Sequence, residues 1–183
     1  MDSGSNTDEI ISGCRKGSRK AQEQLYKNYY RAMVTICLRY TKNDADAVEV
    51  LNNAFLRVFK NIQRYDPAQA GLYTWIRTIV VNSCIDFVKA KQKWETHQEL
   101  GNATEVNIPA EVIGKMKQSE LLGLIRRLPP ATQAVFNMFA IEGYSHREIA
   151  AMTGTSEGTS KWHVSEARKI LQRLIKLEQV NHE

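Results

Sequence analysis

Apolar residues in the N-terminal half recur at spacings of three and four, which is the period of an amphipathic helix. This pattern predicts a long helix over residues 18–40, with Ser18 as its N-cap. A second helix opens at Asp44 and closes before Tyr65-Asp66-Pro67, which has the composition of a turn. A shorter helix is expected around residues 8–14.

A third helix is predicted over residues 72–91, and it is apolar around most of its circumference. That composition predicts burial on more than one side. One polar stripe interrupts the apolar surface, formed by Thr78, Asn82 and Asp86 and continued by Lys89. Such a stripe indicates where a buried helix reaches the protein surface.

The periodicity fails after residue 94, where Gly101-Asn102-Ala103-Thr104 and Pro109 are typical of a flexible connector. Leucine, alanine, lysine and glutamine favour helix over strand in the rest of the chain. The predicted fold class is therefore all-α, with two small helical domains at residues 1–93 and 118–183. A flexible linker over residues 94–117 joins them.

Two helices are predicted after the linker, over residues 119–128 and 131–142. The first stops at Pro129-Pro130, because proline cannot continue a helix that precedes it, and the second ends at a glycine. Ser145 and Glu148 then have the spacing of a capping box, which predicts that a short helix begins there.

The short helix, a turn at Gly154 and a longer helix capped by Ser156 make the pattern of a helix-turn-helix. The second helix of this motif enters the DNA major groove with its first turns leading. Its apolar stripe faces away from DNA, so the polar residues of the first turns are expected outside. These residues are Glu157, Thr159, Ser160, Lys161 and His163, with Arg168 further along. The alternative is a three-helix bundle with a solvated charged face.

Charge and cysteine content narrow the choice of partner and compartment. The formal net charge of +5 and the sequence pI of about 9.1 give a mild bias toward an anionic partner. Cys14, Cys37 and Cys84 lack the close pairing of a zinc site and are interpreted as reduced core thiols. Neither a signal peptide nor a membrane-spanning run is evident, so a cytoplasmic location is expected.

Both halves resemble one protein family, the extracytoplasmic-function sigma factors of the sigma-70 family. The C-terminal half resembles region four through Leu128-Pro129, Val135-Phe136, Ile141-Glu142-Gly143-Tyr144-Ser145-His146-Arg147-Glu148-Ile149-Ala150 and Ser156-Glu157-Gly158-Thr159-Ser160-Lys161. The N-terminal half resembles region two through Asp46-Ala47, Ala54-Phe55-Leu56-Arg57-Val58-Phe59, Tyr73-Thr74-Trp75-Ile76, Val81-Asn82 and Asp86.

The resemblance implies that region two binds core RNA polymerase and opens the minus-ten element, and that region four reads the minus-thirty-five element. The implied core-polymerase contacts are Asp46, Glu49, Asn52, Asn53 and Arg57. The implied minus-ten DNA contacts are Asn61, Tyr65, Trp75, Arg77, Asn82 and Lys89. The implied minus-thirty-five contacts are Arg147, Ser156, Glu157, Gly158, Thr159, Ser160, Lys161, His163 and Arg168.

Two of the implied minus-ten residues have side chains suited to a single-stranded base. A ring such as that of Tyr65 can stack on an unpaired base for about 1–3 kcal/mol, and an amide such as that of Asn82 can bond the base edge. Trp75 either faces the melted strand or belongs to the core, and the sequence leaves both interpretations open.

The chain departs from the family pattern at a few positions. Asn52-Asn53 stands where the family usually has a glutamine and an acidic residue, and Val48 stands where it has a further acidic residue. Trp162 replaces a small polar residue of the recognition helix. Its indole either packs on DNA sugars or thymine methyls, or contacts another protein that supplies part of the targeting.

Two other functional classes compete with a sigma factor. An enzyme is disfavoured because the four histidines lack metal-binding spacing and no phosphate loop or nucleophile motif occurs, so neither a cofactor nor a metal is predicted. A conventional helix-turn-helix regulator would need a sensing pocket or a dimer face in its N-terminal half. The partners expected are core RNA polymerase, promoter DNA and an anti-sigma factor, with another DNA-bound factor as an alternative and no membrane insertion.

Overall fold

The computed structural model describes residues 3–91 and 118–180, and every regular element within these ranges is helical. The N-terminal elements are α1 (Ser3–Arg15), α2 (Arg19–Tyr40), α3 (Asp44–Asn61), a 3₁₀ turn (Ile62–Arg64) and α4 (Leu72–Lys91). The C-terminal elements are α5 (Gln118–Arg126), α6 (Pro130–Phe136), a π-helical segment (Asn137–Ile141), α7 (His146–Thr153) and α8 (Glu157–Val180). The chain divides into two compact units, built mainly from α1–α4 and from α5–α8. The all-α prediction is confirmed, and the predicted linker lies outside the described residues.

Local side-chain caps fix where the N-terminal helices begin. The Ser18 hydroxyl accepts a hydrogen bond from the Ala21 amide at 3.4 Å, which confirms the predicted N-cap of α2. The Asn43 side chain accepts from the Asp46 amide at 2.8 Å and caps α3. Each cap satisfies an amide that has no partner within its own helix.

The core of the first unit lies where α3 and α4 turn their apolar faces inward. Leu51 and Phe55 of α3 are buried, as are Ile76 and Val80 of α4. Burial of one such side chain stabilises the fold by about 1.5–3 kcal/mol. The prediction that α4 is buried on several sides is confirmed by the further residues Val81, Cys84, Ile85 and Val88.

The cysteines contribute to packing as thiols. Cys14, Cys37 and Cys84 are all buried and none of them forms a disulfide bond, as the sequence predicted. The Sγ atoms of Cys37 and Cys84 lie 3.9 Å apart, far beyond the roughly 2.05 Å of a disulfide bond.

The second unit has a core in which α8 packs against the helices that precede it. Its fully buried members are Leu124, Ile125, Leu128, Ala167, Leu171 and Ile175. The residues of α8 in this cluster are spaced three or four apart, so one stripe of the helix is buried along most of its length. Leu174, which the sequence placed in that stripe, packs at the edge of the cluster.

The turn of the helix-turn-helix has the predicted local chemistry. Ser145 and Glu148 form a reciprocal capping box at the start of α7. Gly154 ends α7 with φ +75° and ψ +30°. Glycine adopts this left-handed conformation at a lower free-energy cost than residues that carry a Cβ atom. The Ser156 hydroxyl then accepts from the Thr159 amide at 3.0 Å and caps α8.

The helix predicted over residues 131–142 is not a regular α-helix throughout. Its second half is the π-helical segment Asn137–Ile141. Hydrogen bonds that span five and six residues close this segment, from the Glu142 amide to the Asn137 carbonyl and from the Tyr144 amide to the Met138 carbonyl, both at 2.9 Å. An apolar pattern does not distinguish this winding from an α-helix, because both keep one face buried.

Candidate nucleic-acid and polymerase interfaces

The residues predicted to contact polymerase lie together on the outer side of α3. Glu49, Asn52, Asn53 and Arg57 are exposed, and Asp46 is half-buried in the first turn. The Oδ1 atom of Asn52 accepts a hydrogen bond from the Tyr26 hydroxyl of α2 at 2.9 Å. The side chain of Asn52 is therefore held in one orientation on a surface that is otherwise open.

The same side of α3 carries exposed apolar residues that were absent from the predicted contact set. Val48 and Leu56 flank Asn52 at i, i+4 spacing, and Leu56 is 58% exposed. We call Val48, Asn52 and Leu56 the α3 stripe. Protein interfaces concentrate apolar contacts at their centre and charge at their rim. The sequence signal that could have identified these contacts is the i, i+4 spacing of apolar residues between charged neighbours.

The residues predicted to capture a minus-ten base surround the loop between α3 and α4. Tyr65, at the start of this loop, is only 5% exposed, and its ring packs against the half-buried ring of Trp75 with centroids 5.2 Å apart. The face of the Tyr65 ring is therefore inside the unit rather than open to a base. Burial raises the pKa of the Tyr65 phenol, as does the charge of Asp8, so this side chain is neutral.

Hydrogen bonds within the chain hold the start of this loop and the turn that follows it. The side-chain Nδ2 of Asn61, a half-buried residue, donates to the Arg57 carbonyl at 2.8 Å in the last turn of α3. The Asp66 carboxylate accepts from the Ala68 amide at 3.0 Å, which confirms the predicted turn. The path of the loop is thus held by its own side chains before any ligand is present.

The polar stripe of α4 reaches the surface as predicted. Thr78, Asn82 and Asp86 are exposed, while Arg77 and Lys89 are half-buried. Tyr73, in the first turn of α4, is 48% exposed, and its ring centroid is 6.5 Å from that of Tyr29. Tyr73 was not among the predicted contacts, although it is an exposed aromatic ring on the helix that also carries Asn82.

Six of the residues predicted to read the minus-thirty-five element are accessible in the helix-turn-helix. Arg147, Ser156, Glu157 and Lys161 are exposed, and Gly158 and Arg168 are half-buried. Half-buried Trp162 lies beside them on α8. The accessible surface of the leading turns therefore combines a carboxylate, an ammonium group and an indole.

The prediction that Thr159, Ser160 and His163 lie on the outer face is wrong. The Ser160 hydroxyl is fully buried and is 2.9 Å from Nδ1 of His146 in α7. Nδ1 of His163, a residue only 4% exposed, is 3.0 Å from the Thr132 hydroxyl in α6. Ser160 is four residues before Val164 and so continues the buried stripe of α8. A periodicity analysis that counted only apolar residues missed this position.

Thr159 is buried for a different reason. Its backbone amide and its hydroxyl both lie 3.0 Å from the hydroxyl of Ser156, within the cap of α8. A side chain folded back onto its own helix end is directed away from the groove-facing surface. Thr159 therefore belongs to the structure that begins the recognition helix.

His146 connects the two helices of the motif. Its ring stacks on Phe139 with centroids 4.4 Å apart and an interplanar angle of 14°. Burial lowers the pKa of His146, the positive charges of Lys161 and Arg168 lower it further, and Glu157 opposes them. The imidazole is therefore neutral near pH 7, which suits its stacked, partly buried position.

Among residues 3–91 and 118–180, no group of three or more His, Cys, Asp or Glu side chains is arranged to hold a metal ion. None of the described helices combines the length and the apolar character needed to traverse a bilayer.

Family models match both halves of the chain in the order that the resemblance predicted. A model described as Sigma-70 region 2 matches residues 25–94, and one described as Sigma-70, region 4 matches residues 118–171. The two matches cover most of each helical unit, and they leave out α1, the start of α2 and the end of α8.

Several curated proteins and solved structures are similar to the chain. The ECF RNA polymerase sigma factor SigM of Mycobacterium tuberculosis is 26% identical over 171 residues, which cover 91% of this chain and 83% of SigM. The ECF RNA polymerase sigma factor RpoE of Cereibacter sphaeroides is 30% identical over 131 residues, 71% of each chain. The sigma factor RpoE of Bartonella quintana, solved in complex with the anti-sigma factor NepR, matches 84% of this chain and 96% of its own with a TM-score of 0.53. At 16% identity, that structural match supports the fold alone.

Proposed function

This chain belongs to the extracytoplasmic-function sigma factors of RNA polymerase, and we propose that it binds core polymerase and directs promoter recognition, DNA melting and transcription initiation. It is a transcription initiation factor rather than an enzyme. We propose that each domain expected from the sequence has its own partner. Residues 1–93 bind polymerase and minus-ten DNA, residues 94–117 form the linker, and residues 118–183 bind minus-thirty-five DNA. A protein with these partners acts in the cytoplasm.

The α3 stripe is the proposed centre of the polymerase contact. Val48 and Leu56 supply apolar area, while Asp46, Glu49 and Arg57 supply the charged rim. Asn52-Asn53 replaces the glutamine and the acidic residue that are usual in the family, so apolar contact carries a larger share of the binding here. The same stripe is a candidate contact for an anti-sigma factor, the partner that the family resemblance implies.

The loop between α3 and α4 and the exposed face of α4 are proposed to hold the melted minus-ten strand. Asn82 offers hydrogen bonds to a base edge, and the exposed ring of Tyr73 offers a stacking surface. Arg77 and Lys89 are placed along the same helix, where positive charge attracts the DNA backbone. Tyr65 supports this surface from behind, through its contact with Trp75.

The leading turns of α8 are proposed to read the minus-thirty-five element. Glu157 is the best candidate for discrimination between bases, because a carboxylate accepts a hydrogen bond from the amino group of cytosine. Lys161, Arg168 and Arg147 contribute phosphate contacts that depend little on sequence. Trp162 is available for contact with thymine methyls or deoxyribose.

The observation that carries this proposal is the match of two sigma-70 regions, in order, to the two helical units. A direct test is binding of the full chain to core RNA polymerase without DNA, since an ordinary regulator does not require that complex. The variant Leu56→Ser should weaken the complex by about 5-fold or more, because truncation of a central apolar contact costs over about 1 kcal/mol.

The matched control is Asn28→Ser, an exposed position of α2 two residues from Tyr26 and therefore on the opposite side of that helix. It should bind polymerase as the unaltered chain does. Equal binding by both variants would reject the α3 stripe as the contact. Absence of a complex with the unaltered chain would reject the sigma-factor function itself.

A further inference from the structure

The C-terminal residue of α1 is bonded to the loop that follows α3. The guanidinium of Arg15 donates from Nη2 to the Tyr65 carbonyl at 2.7 Å, and from Nε to the Ile62 carbonyl at 3.4 Å. In return, Nε2 of Gln63 donates to the Arg15 carbonyl at 2.6 Å. Three hydrogen bonds in both directions thus join two segments that are about fifty residues apart in sequence.

Packing fixes the end of α1 from which Arg15 extends. Ile10, Ile11 and Cys14 are buried against the rest of the unit. A Cβ atom added at Gly13 would stand 2.6 Å from Cβ of Ala21, so α1 approaches α2 as closely as a glycine permits. Arg15 is consequently held by a rigid support rather than by a free terminal segment.

The carbonyls that Arg15 holds are those of the 3₁₀ turn and of the first loop residue. The Ile62 carbonyl also accepts a hydrogen bond from the Tyr65 amide at 3.3 Å, and the Arg15 guanidinium is a strong donor that reaches both carbonyls. Tyr65 leaves the turn with φ −65° and ψ +125°, which is where the chain changes from helical to extended. Arg15 therefore braces the point at which the loop changes direction.

We propose that Arg15 is a positioning residue for capture of the minus-ten base: by holding the Ile62 and Tyr65 carbonyls, it sets the loop beside Trp75 and Asn82. This inference rests on the proposed function of the loop. It assigns a promoter-melting role to α1, which lies outside the segment matched by the region 2 model. Arg15 does not touch the base, and it acts through the backbone of the loop.

The test uses holoenzyme assembled from core RNA polymerase and the full chain. The measurements are polymerase affinity, the rate of promoter opening, and the preference for the best minus-ten sequence over single-base substitutions. Arg15→Ala should open promoters about 10-fold more slowly, equivalent to roughly 1.4 kcal/mol. It should also lose base preference while keeping polymerase affinity. Arg15→Lys, which retains a donor, should recover part of both effects.

The matched control is Lys16→Ala, which removes the same charge from an exposed neighbouring position. It should open promoters at the original rate. If Arg15→Ala does not fold, Gln63→Ala removes the reciprocal bond and should give a smaller loss of base preference. Arg15→Lys keeps the charge but replaces the two guanidinium donors with one ammonium group, so in that case it should show a partial loss of opening rate and base preference.

Unchanged opening rate and base preference in folded Arg15→Ala would overturn the inference, as would equal effects of Lys16→Ala. A purely structural role would lower thermal stability but leave the base preference of the folded protein intact, and this result would also overturn it. Failure of the unaltered chain to open any promoter would instead reject the proposed function on which the inference rests.

Discussion

The hydrogen bond between Thr132 and His163 offers a sharp test of how the recognition helix is held. Both residues are buried, and their hydroxyl and imidazole are 3.0 Å apart. Thr132→Val keeps the shape of the side chain but leaves Nδ1 of His163 without this partner. Loss of one partner of a buried hydrogen bond costs about 1–3 kcal/mol. His163→Leu should have a comparable cost, because it leaves the buried Thr132 hydroxyl without the imidazole.

The double variant separates this bond from ordinary packing. When both polar groups are replaced by apolar ones, neither is left unsatisfied, so the cost should be clearly smaller than the sum of the two single costs. If the two side chains acted independently, the costs would add within about 0.5 kcal/mol.

Hydrogen exchange of α8 amides in the full chain is the suitable assay, since it reports on one unit without requiring two-state unfolding. Thr132→Val should speed the exchange of the best-protected α8 amides by about 5- to 150-fold, which corresponds to 1–3 kcal/mol. Exchange within twofold of the unaltered chain, or additive costs in the double variant, would refute the view that this bond anchors the recognition helix.

Three further predictions concern DNA contact and pH. Asn82→Ala should slow promoter opening while leaving polymerase affinity unchanged, as measured by open-complex formation and by binding without DNA. Lys161→Ala should reduce the magnitude of the salt slope of promoter binding by about one unit, because one phosphate contact releases about one counterion. For His146, burial lowers the pKa in the folded state, so the unfolded state binds more protons as pH falls. The stability that neutral His146 contributes should be complete above about pH 6.5, the pKa of histidine in the unfolded state, and should be lost as the pH falls below it. The variant His146→Phe should flatten this pH dependence, as measured by hydrogen exchange of the α7 amides.

The sequence predicted the parts of the fold that depend on local chemistry. Ser145, Gly154 and Ser156 mark the ends of helices through hydrogen bonds to their own neighbours, so spacing alone locates them. The buried stripe of α8 was also predictable, because burial of apolar residues imposes their periodicity. The π-helical segment was not, since its winding depends on long closures around Asn137–Ile141 that leave the apolar pattern unchanged.

The candidate site was less predictable because polar residue types do not reveal which way a side chain points. Ser160 and His163 have side chains that could hydrogen-bond to bases, yet each pairs with a side chain inside the unit, Ser160 with His146 and His163 with Thr132. Tyr65 has the ring expected of a stacking residue but is buried against Trp75. In each case the deciding partner lies in a different structural element, and only tertiary packing identifies it.

The α3 stripe illustrates the opposite error. Val48 was noted only as a departure from an acidic residue, and Leu56 only as part of the family motif, although both are exposed. A single exposed leucine is ordinary on a protein surface, but neighbouring exposed apolar residues on one helix face are typical of an interaction site. The proposed polymerase contact on α3 therefore rests on the exposure of these two residues rather than on residue type alone.

The most direct test of the account is promoter opening by core RNA polymerase supplied with the full chain and a library of promoter fragments. Base-specific reactivity of unpaired thymines should appear at the minus-ten position of a small subset of fragments, without nucleotide hydrolysis and only when the chain is present. Formation of the polymerase complex with no opened fragment in the whole library would contradict autonomous promoter recognition. Recruitment by an additional DNA-bound protein would then be the better account, with Trp162 as the first residue to replace in testing that contact.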